Sequence, residues 1–235
     1  MDIAGHLGNK FSGIMLYKNV WPEGSNFVER LEAAIGDSDN EWFQWQAARV
    51  GDHEEMIDYR DCWDFKVAES MLETVPAEFE DIVPLYGEVM DGIRECVKHY
   101  SGLYNLTLDY EEATNFVKYE KDQHFAIHPD HGFSYSCVVS AIGYLNDGYE
   151  GGQYRMPYQD FDFTPEAGDV ILHPSTFIYA HASLPIIEGT KYSAVTMYDY
   201  NDRNHLGHSF ASAVDPYAQA QAVGETDGQT TTISE

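Results

Sequence analysis

The chain has 235 residues, 43% of them hydrophobic, and its 40 acidic and 13 basic side chains give a formal charge of -27, read here as a solvated acidic coat. That length suits one generous domain that needs neither disulfides nor a structural metal, and the charge excludes nucleic acid and anionic membrane surfaces, whose phosphates would be repelled over the whole surface. Cys62, Cys96 and Cys137 form no C-x-x-C pair and "MDIAGHLGNK" opens no apolar leader, so the expectation is a cytoplasmic protein with reduced thiols and no transmembrane span.

In chain order, "GIMLYKNV" at 13 to 20 reads as a short strand. "WPEGSNFVERLEAAIG" follows as a helix that Ser25 can cap and Gly36 ends, with Phe27, Leu31 and Ile35 on one face. "EWFQWQAARV" is an aromatic strand candidate, and "GDHEEMIDYRDCWDF" is acidic and turn-rich. A second amphipathic helix lies beyond Pro84, where Val89, Ile93 and Val97 recur at helical spacing. From Asn115 the pattern changes to short β-branched and aromatic runs bounded by Gly, Pro, Asn or Asp: "NFVKYEK", "YSCVVSAIGYLND", "GGQYRMP", "GDVILHP", "TFIYAH" and "TKYSAVTMYDY". Strands without intervening helices point to a sandwich or barrel. The expected organisation is one domain over 1–210, with an N-terminal strand and helices at about 13–112 and a β core at about 113–205. Residues 211–235 lack Lys and Arg and read as a flexible tail.

The densest chemistry is "HFAIHPDHG" at 124 to 132. His124 and His128 have the spacing of two zinc ligands on a helix, but Phe stands where a metalloprotease has its Glu, and Pro129 disfavours a helix. On a strand, His128 and Asp130 share a face. An H-x-D pair alone is weak, since ten histidines yield roughly one by chance. Further on, His181 is followed by Pro185, Gly189 and Lys191. A distant third ligand would complete two imidazoles and a carboxylate on one face of a metal, with coordination positions left open for a bidentate ketoacid and dioxygen.

The ordered set Tyr119, His128 and Asp130, "YLND", "YEGG", "PEAGDVILHPS" and "HASLPIIEGTKYS" resembles the iron(II)- and 2-oxoglutarate-dependent dioxygenases, within them the prolyl 4-hydroxylase-like group including its PKHD-type members. The resemblance covers about residues 113 to 200. It implies a mixed α+β, mainly β fold: a double-stranded β-helix (jelly-roll or cupin-like) core with supporting N-terminal helices. It implies His128, Asp130 and His181 as iron ligands and Lys191 as partner of the remote carboxylate of 2-oxoglutarate, with Tyr144 and Tyr119 lining that pocket. Strand alternation independently puts Lys191 on the face of Val195 and Met197, where a buried ammonium needs an anionic partner. Fe(2+), 2-oxoglutarate and O2 are the implied cofactors, with ascorbate a candidate reductant and succinate and CO2 the co-products.

His131 and His173 are expected to be structural or solvent-exposed, whereas His124 shares the strand parity of His128 and is a candidate substrate contact. Gln153, Tyr154 and Arg155 border the open side of the pocket in the same reading. "YRDCWDF" and "GGQYRMPYQD" are the expected substrate lips. The chain departs from the family in "GGQYRMP", in Met197 where Trp is frequent, and in two extra residues before His181. A prolyl residue of a peptide or protein is the expected substrate, and a free amino acid or small metabolite the alternative. A non-catalytic binding module is disfavoured by the intact triad, and a halogenase-like variant by Asp130.

Overall fold

The computed structural model describes residues 1–50, 55–132 and 135–205. The proposed tail therefore lies outside the described residues, and no helix among the described residues is long and apolar enough to cross a membrane.

Strands β1 (Asp2–His6) and β2 (Met15–Lys18) precede helix α1 (Phe27–Ile35). Short strands β3 (Gln46–Ala47) and β4 (Arg60–Asp61) lead to β5 (Trp63–Val67), a short helix α2 (Glu69–Leu72) and the long helix α3 (Ile82–Tyr104). The β core runs through β6 (Tyr110–Glu111), β7 (Thr114–Tyr119), β8 (His124–His128), β9 (Val139–Tyr144), β10 (Glu150–Gly151), β11 (Tyr154–Met156) and β12 (Phe161–Phe163). It closes with β13 (Val170–Pro174), β14 (His181–Ser183), β15 (Ile186–Glu188) and β16 (Lys191–Asp199).

A nine-stranded sheet orders as β1-β2-β13-β9-β16-β7-β5-β3, with β6 also on β16, and faces a five-stranded sheet of order β12-β11-β14-β8-β4. This is the double-stranded β-helix anticipated from the sequence, and its paired named strands are antiparallel. Alternation along the large sheet divides its side chains cleanly. Ala141, Val170, Leu172, Tyr192 and Ala194 face outward into the main core. There they meet Leu31 and Ile35 of α1 and Leu85, Val89 and Ile93 of α3. Ile142, Tyr144, Lys191, Ser193 and Val195 face the interior cavity.

Several local expectations are corrected. Ser25 does not cap α1; its hydroxyl donates to the Pro22 carbonyl at 2.7 Å, and Asn26 in the left-handed region (φ 50°) begins the helix without a side-chain cap. Pro84 lies inside the first turn of α3, where its missing N–H has no intrahelical partner to lose. "EWFQWQAARV" contributes only the two-residue β3, because Trp45 turns to pack on Phe65 and Tyr192. "TFIYAH" is a 3-10 turn over Phe177–Tyr179 that delivers His181 to the start of β14. The turn-rich stretch before Val67 holds β4 and β5, which extend both sheets.

Candidate metal centre and cosubstrate pocket

β8 and β14 pair with His181 opposite His128, so two imidazoles from distant parts of the chain meet across one ladder rung. Their ring centroids are 4.5 Å apart. Asp130 lies just past β8, and one donor atom from each of His128, Asp130 and His181 falls within 4.8 Å of the others.

Both ring orientations are determined by backbone carbonyls. His128 Nδ1 lies 2.7 Å from the Ala126 carbonyl and His181 Nδ1 lies 3.1 Å from that of Tyr179. A carbonyl can only accept, so each Nδ1 carries a proton and Nε2 is the nitrogen left to face a metal. Those Nε2 atoms face Asp130 at 3.6 and 3.8 Å. Burial, reinforced by His181, pushes the His128 imidazole down to about 3, so it is neutral at physiological pH. Burial raises the Asp130 carboxyl, but His181, His128, His173 and the Ser140 hydroxyl outweigh it and hold the group below its usual value. Ser140 Oγ donates to Asp130 Oδ2 at 2.5 Å and fixes the carboxylate. Two Nε2 atoms and a carboxylate facing one gap suit a divalent cation, and two N donors with one O donor suit iron.

The triad opens onto a cavity of about 580 Å³. Lys191, 2% exposed, enters its wall from β16. Its Nζ donates to the Gly152 carbonyl at 2.9 Å and to Ser183 Oγ, and sits 4.6 Å from the Tyr119 ring centroid. No carboxylate pairs with it among the described residues, and burial pushes its amine down to about 7. Gly152 has φ +65°, and a Cβ there would meet Ile186 Cδ1 at 2.5 Å, so the "GG" of β10 and its successor lets this carbonyl reach the lysine. Tyr144 is 1% exposed, lines the same cavity, and its hydroxyl has no hydrogen-bond partner among the described residues. A buried amine with no counter-charge and a phenol with no hydrogen-bond partner among the described residues, in one wall, fit a carboxylate of 2-oxoglutarate.

Other sequence-derived candidates separate in space. Tyr119 and Tyr154 line the cavity, as do Tyr59 and Arg60 of the expected first lip. Gln153 and Arg155 do not: Arg155 turns outward and forms a bidentate pair with Asp162 at 2.8 and 2.6 Å across the β11–β12 ladder. His124 does not line the cavity either. The β8–β14 register shifts between the rungs His128–His181 and Phe125–Ser183, a bulge that resets the parity. Phe125 therefore stacks on His128, centroids 3.4 Å apart, while His124 approaches the Asp58 carbonyl at 3.4 Å on the outside. His131 binds the backbone of Cys137. His173 is fully buried beside the triad, with its ring centroid 5.0 Å from that of His181. Phe125 and Ser140 were given no site role by the sequence, and Ser183 and His173 lie in the motifs without one; the bulge and the strand pairings bring all four to the site.

The fold and the site define a double-stranded β-helix with a two-histidine, one-carboxylate cluster. Comparison with known proteins agrees: residues 114–199 match the family described as the 2OG-Fe(II) oxygenase superfamily. Over 103 residues, 43% of this chain, the sequence is 32% identical to procollagen-lysine,2-oxoglutarate 5-dioxygenase 1 of Mus musculus. Identity to procollagen-lysine,2-oxoglutarate 5-dioxygenase 2 of Homo sapiens is 26% over 104 residues. The matched segment spans 14% of the length of these relatives. Among solved structures, a Trichoplax adhaerens prolyl hydroxylase in complex with a hypoxia inducible factor peptide fragment superposes with a TM-score of 0.65 at 15% identity, over 85% of this chain and 89% of that one. A Pseudomonas putida prolyl-4-hydroxylase gives 0.59 at 24% identity, over 80% and 93%. The family match covers 86 of the 235 residues, and that segment is what is similar to the 2OG-Fe(II) oxygenase superfamily.

Proposed function

We propose that this chain hydroxylates a carbon of its substrate, most specifically a prolyl residue of a peptide or protein, using Fe(II), 2-oxoglutarate and O2 and releasing succinate and CO2. The observation that carries this is the convergence of the His128 and His181 Nε2 atoms and the Asp130 carboxylate on the cavity that also holds the buried Lys191, which has no carboxylate partner among the described residues. His128, Asp130 and His181 would hold the metal. When bound, Fe(II) supplies a coupled oxidation in which one oxygen atom of O2 enters succinate and the other the substrate C–H bond.

The remaining work falls to the chain's own residues. Lys191 and Tyr144 would bind the distal carboxylate and orient the ketoacid towards the triad. Val117, Ile142 and Val195 form an apolar lining that limits water in the reaction space. Ser140 and the two backbone carbonyls keep the ligand lone pairs aimed without metal present. Likeness in fold to two prolyl hydroxylases, one of them holding a peptide, supports the peptide reading. Ascorbate as reductant rests on the sequence resemblance alone, and the buried free thiols of Cys62, Cys96 and Cys137 support a cytoplasmic setting.

The test is incubation of the protein with Fe(II), 2-oxoglutarate and a proline-containing peptide panel. Succinate release together with a peptide mass gain of one oxygen is expected. Failure to consume 2-oxoglutarate in the presence of Fe(II) rejects the proposal.

A further inference from the structure

The two candidate ligand imidazoles are held in different ways. His181 is fixed at two points, by the Tyr179 carbonyl at Nδ1 and by the Tyr154 ring stacked on its face. His128 ends β8 with Pro129 after it, and its Nδ1 meets the Ala126 carbonyl at 2.7 Å. One hydrogen bond fixes one direction, and a ring held only in that way can still tilt about it. A contact over the ring face removes that freedom.

Phe125 supplies that contact, its ring lying 3.4 Å from the His128 ring between centroids with the planes 13° apart. Strand pairing gives Phe125 a defined place: it stands opposite Ser183 of β14 on one side and Arg60 of β4 on the other. Tyr59 meets the Phe125 ring edge-on, centroids 5.7 Å apart, and the Arg60 guanidinium stands over it with Cζ 4.9 Å from the centroid. The guanidinium is itself anchored. Its Nη2 lies 2.8 and 2.7 Å from the two Asp64 carboxylate oxygens, and Nη1 donates to the Arg49 carbonyl at 2.7 Å. With 13% and 17% of the Arg60 and Asp64 side chains exposed, this ion pair lies largely out of water, and removing one charge alone would strand the other. A chain of contacts thus runs from Asp64 on β5 through Arg60 and Phe125 to His128.

Neither Phe125 nor Arg60 can ligate a metal, since one has no donor atom and the other keeps its proton. Their effect on the centre is through the imidazole plane: a tilted His128 ring turns Nε2 away from the gap it shares with Asp130 and His181. We propose that Phe125 is a positioning residue that fixes the plane of the His128 imidazole, and that Arg60 acts on this metal ligand through Phe125. This rests on the assignment of His128 to the metal above and goes beyond it by naming what holds that ligand in place before the metal arrives.

The test has a metal-free and a metal-loaded arm, both on the full chain. In proton NMR of the metal-free protein, the His128 ring signals, assigned by their loss in His128→Gln, should lie upfield of an unstacked imidazole because the Phe125 ring shields them. Phe125→Leu should return them to the ordinary position, and Phe125→Tyr should keep them shifted. In the loaded arm, Phe125→Leu should weaken Fe(II) binding about tenfold and alter the visible absorption of the Co(II)-substituted protein, with Phe125→Tyr restoring both. The double change Arg60→Met with Asp64→Asn, which strands no charge, should weaken Fe(II) binding in the wild-type background and have no further effect beside Phe125→Leu. A merely structural role would lower the unfolding midpoint and leave the Co(II) spectrum as in wild type. Unshifted His128 signals in the wild type, a wild-type Fe(II) Kd and Co(II) spectrum in Phe125→Leu, or an equal loss from the double change in both backgrounds would each overturn the inference. The wild-type NMR signals decide even if the variants fold poorly. A wild type that binds neither Fe(II) nor Co(II) would instead reject the metal centre, and this inference with it.

Discussion

The Tyr154 hydroxyl lies 2.6 Å from His173 Nε2, while the Tyr154 ring stacks on the His181 imidazole with centroids 4.8 Å apart. His173 Nδ1 is 2.8 Å from the Pro174 carbonyl, so Nδ1 carries the proton and Nε2 accepts from Tyr154. This pair braces a candidate metal ligand from behind. Tyr154→Phe or His173→Leu strands the surviving partner in the core and is expected to cost about 1–3 kcal/mol in denaturant unfolding. The double variant should cost less than the sum of the two, and each single change should weaken Fe(II) affinity about tenfold. Additive losses in the cycle would show that the two groups act separately.

Asp130→Ala and His181→Ala should each abolish stoichiometric Fe(II) binding and succinate release. The fold should survive both, since Ser140 Oγ keeps Ser175 Oγ at 2.8 Å after the carboxylate is removed. A melting temperature for metal-free Asp130→Ala within a few degrees of the wild type, with no iron retained after dialysis, is the expected result. Full turnover in either variant would remove the proposed centre.

Lys191 makes cosubstrate binding pH-dependent. Burial lowers its amine from 10.5 to about 7, so between those values the unfolded chain binds more protons than the folded one. The cosubstrate-free protein should gain stability as pH rises through that window, and bear the full cost of the buried ammonium below about 7. A carboxylate partner requires the charged form, so 2-oxoglutarate affinity should fall as pH rises above 7, by at most about tenfold per unit. Titration calorimetry across that range checks both, and Lys191→Met should bind weakly with no such slope. A pH-independent Kd in the wild type would mean that the lysine does not meet the cosubstrate.

The helical support depends on Trp21, whose indole Nε1 donates to the Glu88 and Val89 carbonyls of α3 at 3.1 and 3.2 Å. A Cβ on Gly143 of β9 would lie 2.6 Å from Trp21 Cη2, and a Cβ on Gly92 of α3 would strike its Nε1. Gly143→Ala should therefore destabilise the protein by about 1–3 kcal/mol in urea unfolding, through overpacking. Stability equal to wild type would show that the indole can yield.

The sequence by itself determined the β-rich second half, the apolar faces of α1 and α3, and the pairing of an H-x-D motif with a later histidine and a lysine ten residues beyond it. These are readable because strand and helix periodicity decide locally which side chains share a face. It also placed Lys191 correctly with Val195 and Met197, since β16 runs without interruption from Lys191 to Asp199.

Where pairing with a distant strand breaks that regularity, the tertiary structure alone decided the outcome. The bulge in β8 exists because β14 meets it in two registers, and it exchanges His124 for Phe125 beside the metal ligands. His173 reads as an ordinary strand residue until the two sheets close and place it against Tyr154 and His181. Arg155 was likewise assigned by strand pairing, drawn outward by Asp162 across the β11–β12 ladder. A face is set by neighbours in sequence, but the occupant of a site is set by the register of strands that meet only in the folded chain.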